Sequence, residues 1–323
     1  VAAIGGGGGD ARIMITAPTI AAAATATSVI TDLQVESTSA VAQVSVPMTV
    51  GEVFAPGHLA SGQTLVAKLA DGTVLPLQMD VKARHPDGSV RHAILSAVLP
   101  KLAAGERLKI ELARGTAAAG AAATTPAAVL GAGFASKMEV VIGGVSYSAS
   151  AEKLLAKGVY TTWLSGPAVS EWHVNAPLVS AAGVEHPHLS ARFAIRAYGS
   201  NKVRVDVTVE NAWAFEAAPQ NFIYDAKLTV GTETKYSVSA LTHYHHARWR
   251  KVYWWGAEPG VHVRHNTDYL IASRAVPNYD RSFAFSEKTL ASIGAGWTGA
   301  KTEPMGAGVA KPYMPTTGGR ADI

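Results

Sequence analysis

Cysteine is absent from the 323-residue sequence. No disulfide, thiolate metal site or thiol nucleophile is therefore available. Charge is sparse: 16% of residues are Asp, Glu, Lys or Arg and the formal net charge is only +4. The basic residues nearest to a cluster are Arg248, Arg250 and Lys251, so the cationic footprint of a nucleic-acid binder is missing. No apolar run reaches the roughly eighteen residues of a membrane-spanning helix. The opening VAAIGGGGGDARIMITAPTI has no basic region followed by a long apolar run, and does not read as an intact signal peptide. Long Glu/Lys/Leu-rich stretches, the material of surface helices, are also lacking.

What remains is rich in Ala, Gly, Thr, Ser and Val, a composition for short strands and tight turns. Residues 1–27 form a glycine- and alanine-rich arm, either a flexible tether or a segment ordered by an assembly. Residues 28–114 alternate with period two, as in VAQVSVPMTV, between Gly, Pro and Asp punctuation. This predicts a small antiparallel β-barrel or sandwich. Pro86, Asp87 and Gly88 predict a hairpin turn with Gly88 at positive φ, and Arg91 lies on the outgoing strand. Residues 115–133 are low in complexity and read as a linker. All aromatics but Phe54, Phe134 and Tyr147 lie from Tyr160 onward, which implies a second module with its own core. Residues 134–255 carry long alternating strands, such as HLSARFAIRAY and KVRVDVTVE, and predict a β-sandwich. A short helix capped by Ser150 is expected at 150–157. Residues 256–323 are weakly patterned and read as an irregular tail, with one helix expected at 286–293.

The stretch 46–100 resembles the barrel at the start of exo-rhamnogalacturonan-lyase-like proteins. Pro47, Gly51, Phe54, Gly57, Leu75-Pro76-Leu77-Gln78 and His85-Pro86-Asp87-Gly88-Ser89-Val90-Arg91-His92 carry the resemblance. Where that family tends to have Trp, this chain has His85 and His92. The resemblance implies a RIFT-type β-barrel followed by a central β-sandwich. It also implies that most of a catalytic cleft would come from a helical toroid that this chain does not contain.

The most notable chemistry lies in THYHHARWRKVYWWG, read as one strand. Tyr244, His245, Arg248, Trp249, Arg250, Tyr253 and Trp255 are candidate glycan contacts. Aromatic faces stack on the CH faces of pyranoses, and arginine pairs with uronate carboxylates. Tyr244, His245 and Arg248 are also the right types for a lyase base and cation. His243 and His245, with His186, His188 and Glu185, have metal-ligand spacing. Ready aromatic neighbours nevertheless predict no tightly bound zinc and no cofactor. Glu171, Asp206 and Glu210 have no pairing context for glycoside hydrolysis, and Trp163 and Trp172 read as core anchors. Gly294, Gly296 and Gly299 match a dinucleotide fingerprint without its strand and helix. GAGWTGAKT, ending near Lys301, has the wrong spacing for a phosphate loop.

The expected fold is all-β, a small barrel followed by a β-sandwich and an irregular tail. The expected function is a non-catalytic, glycan-facing structural module of a virion tail or fibre, or of another extracellular assembly. Its partners would be other protein subunits, with the chain oligomeric, and a polysaccharide. The alternative is the front portion of a secreted polysaccharide lyase acting on uronate polymers.

Overall fold

The computed structural model describes residues 29–115, 122–213 and 215–276, together with residues 286, 288, 289, 291 and 292. The arm at 1–27, the middle of the linker at 116–121, most of the tail and the glycine motif near Lys301 lie outside the described residues. At the expected tail helix, Ser286 Oγ accepts the Thr289 N–H at 3.1 Å.

The chain is all-β. Its strands are β1 (Val29–Ser37), β2 (Gln43–Val53), β3 (Thr64–Leu69), β4 (Val74–Leu75), β5 (Gln78–Arg84), β6 (Val90–Leu102), β7 (Arg107–Gly115), β8 (Ser136–Ile142), β9 (Val145–Ser150), β10 (Thr161–Ser165), β11 (Ser170–Ser180), β12 (Glu185–Ala197), β13 (Val203–Asn211), β14 (Phe222–Val230), β15 (Glu233–His243), β16 (Ala247–Trp255) and β17 (Val261–His265). Among the described residues, six-residue helices α1 (Pro126–Gly131) and α2 (Ala151–Ala156) lie between strands, and α3 (Thr267–Ala272) follows β17. Among the described residues no helix is long and apolar enough to cross a membrane. The elements divide into two compact units.

In the first unit a five-stranded sheet, β17-β1-β7-β3-β4, faces a three-stranded sheet, β2-β6-β5. The sheets approach where β17 meets β2 and where β4 meets β6. Leu33, Met48, Leu65, Leu95, Leu99 and Ile110 fill the barrel-like interior. The β5–β6 turn follows from its residues. Asp87 Oδ1 accepts the Ser89 N–H at 2.9 Å and its hydroxyl at 2.6 Å, and Gly88 adopts φ +83°. Arg91 sits exposed on β6, and its carbonyl accepts the Phe54 N–H. A Cβ on Gly88 would meet nothing within 4 Å, so the penalty of Gly88→Val is purely conformational. Chemical denaturation is expected to show a loss of about 1 kcal/mol or more.

Residues 261–272, read from the sequence as the beginning of an irregular tail, are regular. β17 pairs with β1 in the register Leu33↔His265, and the following Tyr269 is buried, its hydroxyl receiving the Ala55 N–H at 3.2 Å. Part of the linker reading also resolves into structure. Pro126 opens α1, Thr125 Oγ1 accepts the Ala128 N–H at 3.2 Å, and Val129 is fully buried in the second unit.

The second unit is built on one sheet in the order β15-β14-β8-β9-β11-β12-β13-β16, with β10 paired to β11. β15 and β16 are consecutive in the chain yet occupy the sheet's two ends. The turn at 244–246 brings those ends together, so the sheet is nearly closed. Alternation makes this wall two-faced. On β13, Val203, Val205, Val207 and Val209 are all fully buried, each worth about 1.5–3 kcal/mol against exposure. Arg204, Asp206, Thr208 and Glu210 then stand on the opposite face. As the sequence predicts, Ser150 Oγ caps α2 by accepting the Lys153 N–H at 3.3 Å.

Candidate functional site

The outer face of β11, β12, β13 and β16 carries a polar groove. β11 buries Trp172 and Val174 and turns out Glu171, His173 and Asn175; β12 buries Phe193, Ile195 and Ala197 and turns out Arg192, Ala194 and Arg196. Cross-strand registers Arg192↔Thr208, Thr208↔Arg250 and Glu210↔Arg248 align these side chains into rows. Residues 158–161 bound the rows, leaving a groove of about 920 Å³ lined by Tyr160, Thr161, His173, Asn175, Arg192, Asp206, Thr208, Arg248 and Arg250, among others.

The charges on this face are ordered and unequal. Arg192 Nε donates to Glu210 at 2.7 Å, Arg196 Nε donates to Glu171 at 2.5 Å, and Arg250 grips both carboxylate oxygens of Asp206. Arg204 Nη2 lies 3.6 Å from the same Asp206. Arg248 makes no ion pair among the described residues, because its cross-strand neighbour Glu210 is held by Arg192. The face therefore carries five arginines against three carboxylates. Burial pushes the Glu171 carboxyl up, but the His173 hydrogen bond and the Arg196 charge outweigh it and hold the group below its ordinary value. Burial and the neighbouring Arg196 lower Arg204, and the Asp206 hydrogen bonds raise Arg250.

Aromatic surface flanks the charge. Trp163, 41% exposed, stacks on the His173 ring at 5.7 Å and 20°. Tyr198 and Trp254 stack at 5.9 Å and 19°, and Trp254 is the cross-strand partner of Arg204. His173 Nε2 lies 2.8 Å from Glu171 Oε1. A carboxylate is only an acceptor, so Nε2 is the proton-bearing nitrogen and Nδ1 keeps the lone pair when the ring is neutral.

The sequence-based candidates separate. Arg248 and Arg250 line the groove. Trp249, Tyr253 and Trp255 instead pack against the hydrophobic core, and Trp249 Nε1 donates to Tyr224 Oη at 2.8 Å. Tyr244 and His245 lie in the turn between β15 and β16. The stretch THYHHARWRKVYWWG is thus two strands and a turn: His246 takes φ +61°, Asn211 O accepts its N–H, and Asn221 Oδ1 accepts that of His245, each at 2.8 Å. The turn ends the strand geometry in which His243 and His245 would share a face. His243 is buried, with Nδ1 2.7 Å from Tyr224 Oη and Nε2 2.9 Å from the Ala247 carbonyl. Among the described residues no three His, Asp or Glu side chains converge as metal ligands. Trp172 is core, whereas Trp163 is partly open beside the groove.

His173, Arg192, Tyr160 and Asn175 were not singled out from the sequence. The pattern that marks Arg192 is the alternation in HLSARFAIRAY, whose polar positions face the same way as those of KVRVDVTVE.

No family model and no curated protein matches the chain. Among solved structures, a protein in the glycosyl hydrolase family 38 from Enterococcus faecalis is similar at 9% identity and a TM-score of 0.37 over 76% of this chain. The match spans 46% of that protein, and a likeness of this degree carries no argument about function.

Proposed function

We propose that the chain is a non-catalytic, glycan-facing β module whose second unit holds an anionic polysaccharide along the arginine-lined groove. The observation that carries this reading is Arg248, a groove guanidinium with no carboxylate partner among the described residues, on a face with more arginines than acids. A guanidinium pairs with a carboxylate through two parallel hydrogen bonds. The stacked rings of Trp163 and His173 add an apolar platform for a pyranose. The resemblance of residues 46–100 to exo-rhamnogalacturonan-lyase-like proteins agrees with a carbohydrate setting. The place of the module in a virion tail or fibre, or another extracellular assembly, rests on the sequence alone.

One observation favours turnover as a second reading. His173, with its proton held toward Glu171, is a proton acceptor in the groove wall, and Arg248 is a cation for a uronate. Titration of the native protein with polygalacturonate and with a neutral glucan separates the possibilities. The expected result is binding of the acidic polymer only, weakened by salt, without the ultraviolet absorbance of an unsaturated uronate. Arg248→Ala is expected to weaken binding about tenfold or more. Equal binding of both polymers, unchanged by Arg248→Ala, refutes the groove reading; product that disappears in His173→Gln establishes the lyase.

A further inference from the structure

The opposite chemistry, histidine without counter-charge, gathers at the end of the second unit where β11–β12, β13–β14 and β15–β16 connect. His186 is buried at the start of β12, and its Nδ1 accepts two backbone N–H groups, from His188 at 3.1 Å and Leu189 at 3.0 Å. Its ring stands edge-on to Tyr147 of β9 at 5.1 Å and to Phe222 of β14 at 4.9 Å. His188 is 3% exposed, lies 6.2 Å from His186, and its Nδ1 has no partner among the described residues. His245, in the 244–246 turn, has an equally unpartnered buried Nδ1 and packs on His246 at 3.9 Å. The groups facing His186 and its neighbours are thus Tyr147, His188, His245 and His246. Among the described residues no carboxylate lies within ion-pair distance of these four imidazoles.

This end also exposes apolar surface. Leu189 pairs with Asn211, whose side chain donates to Gln220 O at 2.9 Å and His243 O at 3.3 Å, so the start of β12 and both connections share one anchor. Trp213 is 53% and Ile223 65% exposed, and Phe215 is fully exposed.

We infer that His186 is an acid-sensitive latch: its protonation undoes the start of β12 and frees the 211–222 connection, baring Phe222 beside the exposed Trp213 and Phe215. The mechanism is one of lone pairs. Neutral His186 receives both N–H groups on Nδ1. Once protonated, Nδ1 is itself a donor, so two buried N–H groups lose their acceptor and a charge appears beside His188 with no carboxylate to offset it. Burial first, and His188 second, hold the imidazole down to about 4. The folded form binds the proton less well than the unfolded chain, so the stabilisation is complete above the ordinary value of 6.5 and is lost as pH falls from 6.5 toward 4.

Hydrogen exchange of the full chain tests this, with rates corrected for the intrinsic effect of pH. Over that fall in pH, protection at 186–190 and 211–222 is expected to drop about tenfold or more relative to 203–207 on β13. In His186→Asn, whose Oδ1 can replace Nδ1 as acceptor but does not titrate, protection is expected to stay level. An equal drop in the variant, or none in the native protein, overturns the latch. Should the variant not fold, the native His186 ring resonance decides: titration in step with the loss of protection supports the latch, and titration near 6.5 with protection intact refutes it.

Discussion

Arg196→Ala is expected to destabilise the protein by about 3–5 kcal/mol, the largest loss from any single truncation on the groove face. Glu171 is 5% exposed and Arg196 21% exposed, and they meet at 2.5 Å. Removing the guanidinium leaves a nearly buried carboxylate with His173 as its remaining side-chain hydrogen-bond partner and the more distant Arg204 charge. The sign with pH follows from Glu171. Its carboxyl is held low in the folded state, so the stability it contributes is present above the ordinary carboxylate range and is lost as the pH falls through the folded value. With Arg196 gone, that contribution should shrink or reverse. Denaturant titration of both proteins near neutral pH and in mild acid reads the effect. A loss below about 1 kcal/mol would mean that the pair behaves as an exposed one.

His243→Ala is expected to cost about 3 kcal/mol by opening the barrel where its ladder is missing. β15 and β16 meet at their shared turn, and side chains bridge the interior there. Trp249 of β16 donates to the Tyr224 hydroxyl of β14, that hydroxyl is 2.7 Å from His243 Nδ1 of β15, and His243 Nε2 reaches Ala247 O. Removing the imidazole leaves a cavity, an unreceived tyrosine proton and an unpaired carbonyl. Tyr224→Phe should show a smaller loss, because it unpairs Trp249 Nε1 and His243 Nδ1 but keeps both rings and opens little space. Equal stability of all three proteins in urea would show that the bridge closes nothing.

The sequence made the strands legible and left the site hidden, for a physical reason. The two faces of β12 and β13 can be read from alternation alone, because burial on one side forces every second residue to be apolar. Gly88 and the Ser150 cap can be read because each is a local rule. β17 cannot: its partner β1 lies far away in the chain, and VHVRH is too short to announce a strand. The 244–246 turn is hidden as well, since no glycine or proline marks it: His246 takes the left-handed conformation with its N–H on Asn211 O, and the His245 N–H is held by Asn221 Oδ1. The groove depends on the register that sets Thr208 beside both Arg192 and Arg250. That register also decides that Trp249, Tyr253 and Trp255 belong to the core while Arg248 and Arg250 face the groove.

The central claim, that the outer face of β11, β12, β13 and β16 receives an anionic glycan, is tested most directly by hydrogen exchange with and without a short oligogalacturonate. Residues 158–161, 173–175, 192–194, 206, 208, 248 and 250 line the groove, and their backbone amides should gain protection together, with no gain in Arg248→Ala. Protection confined to the first unit, or to the 211–222 and 244–246 connections, would contradict the account.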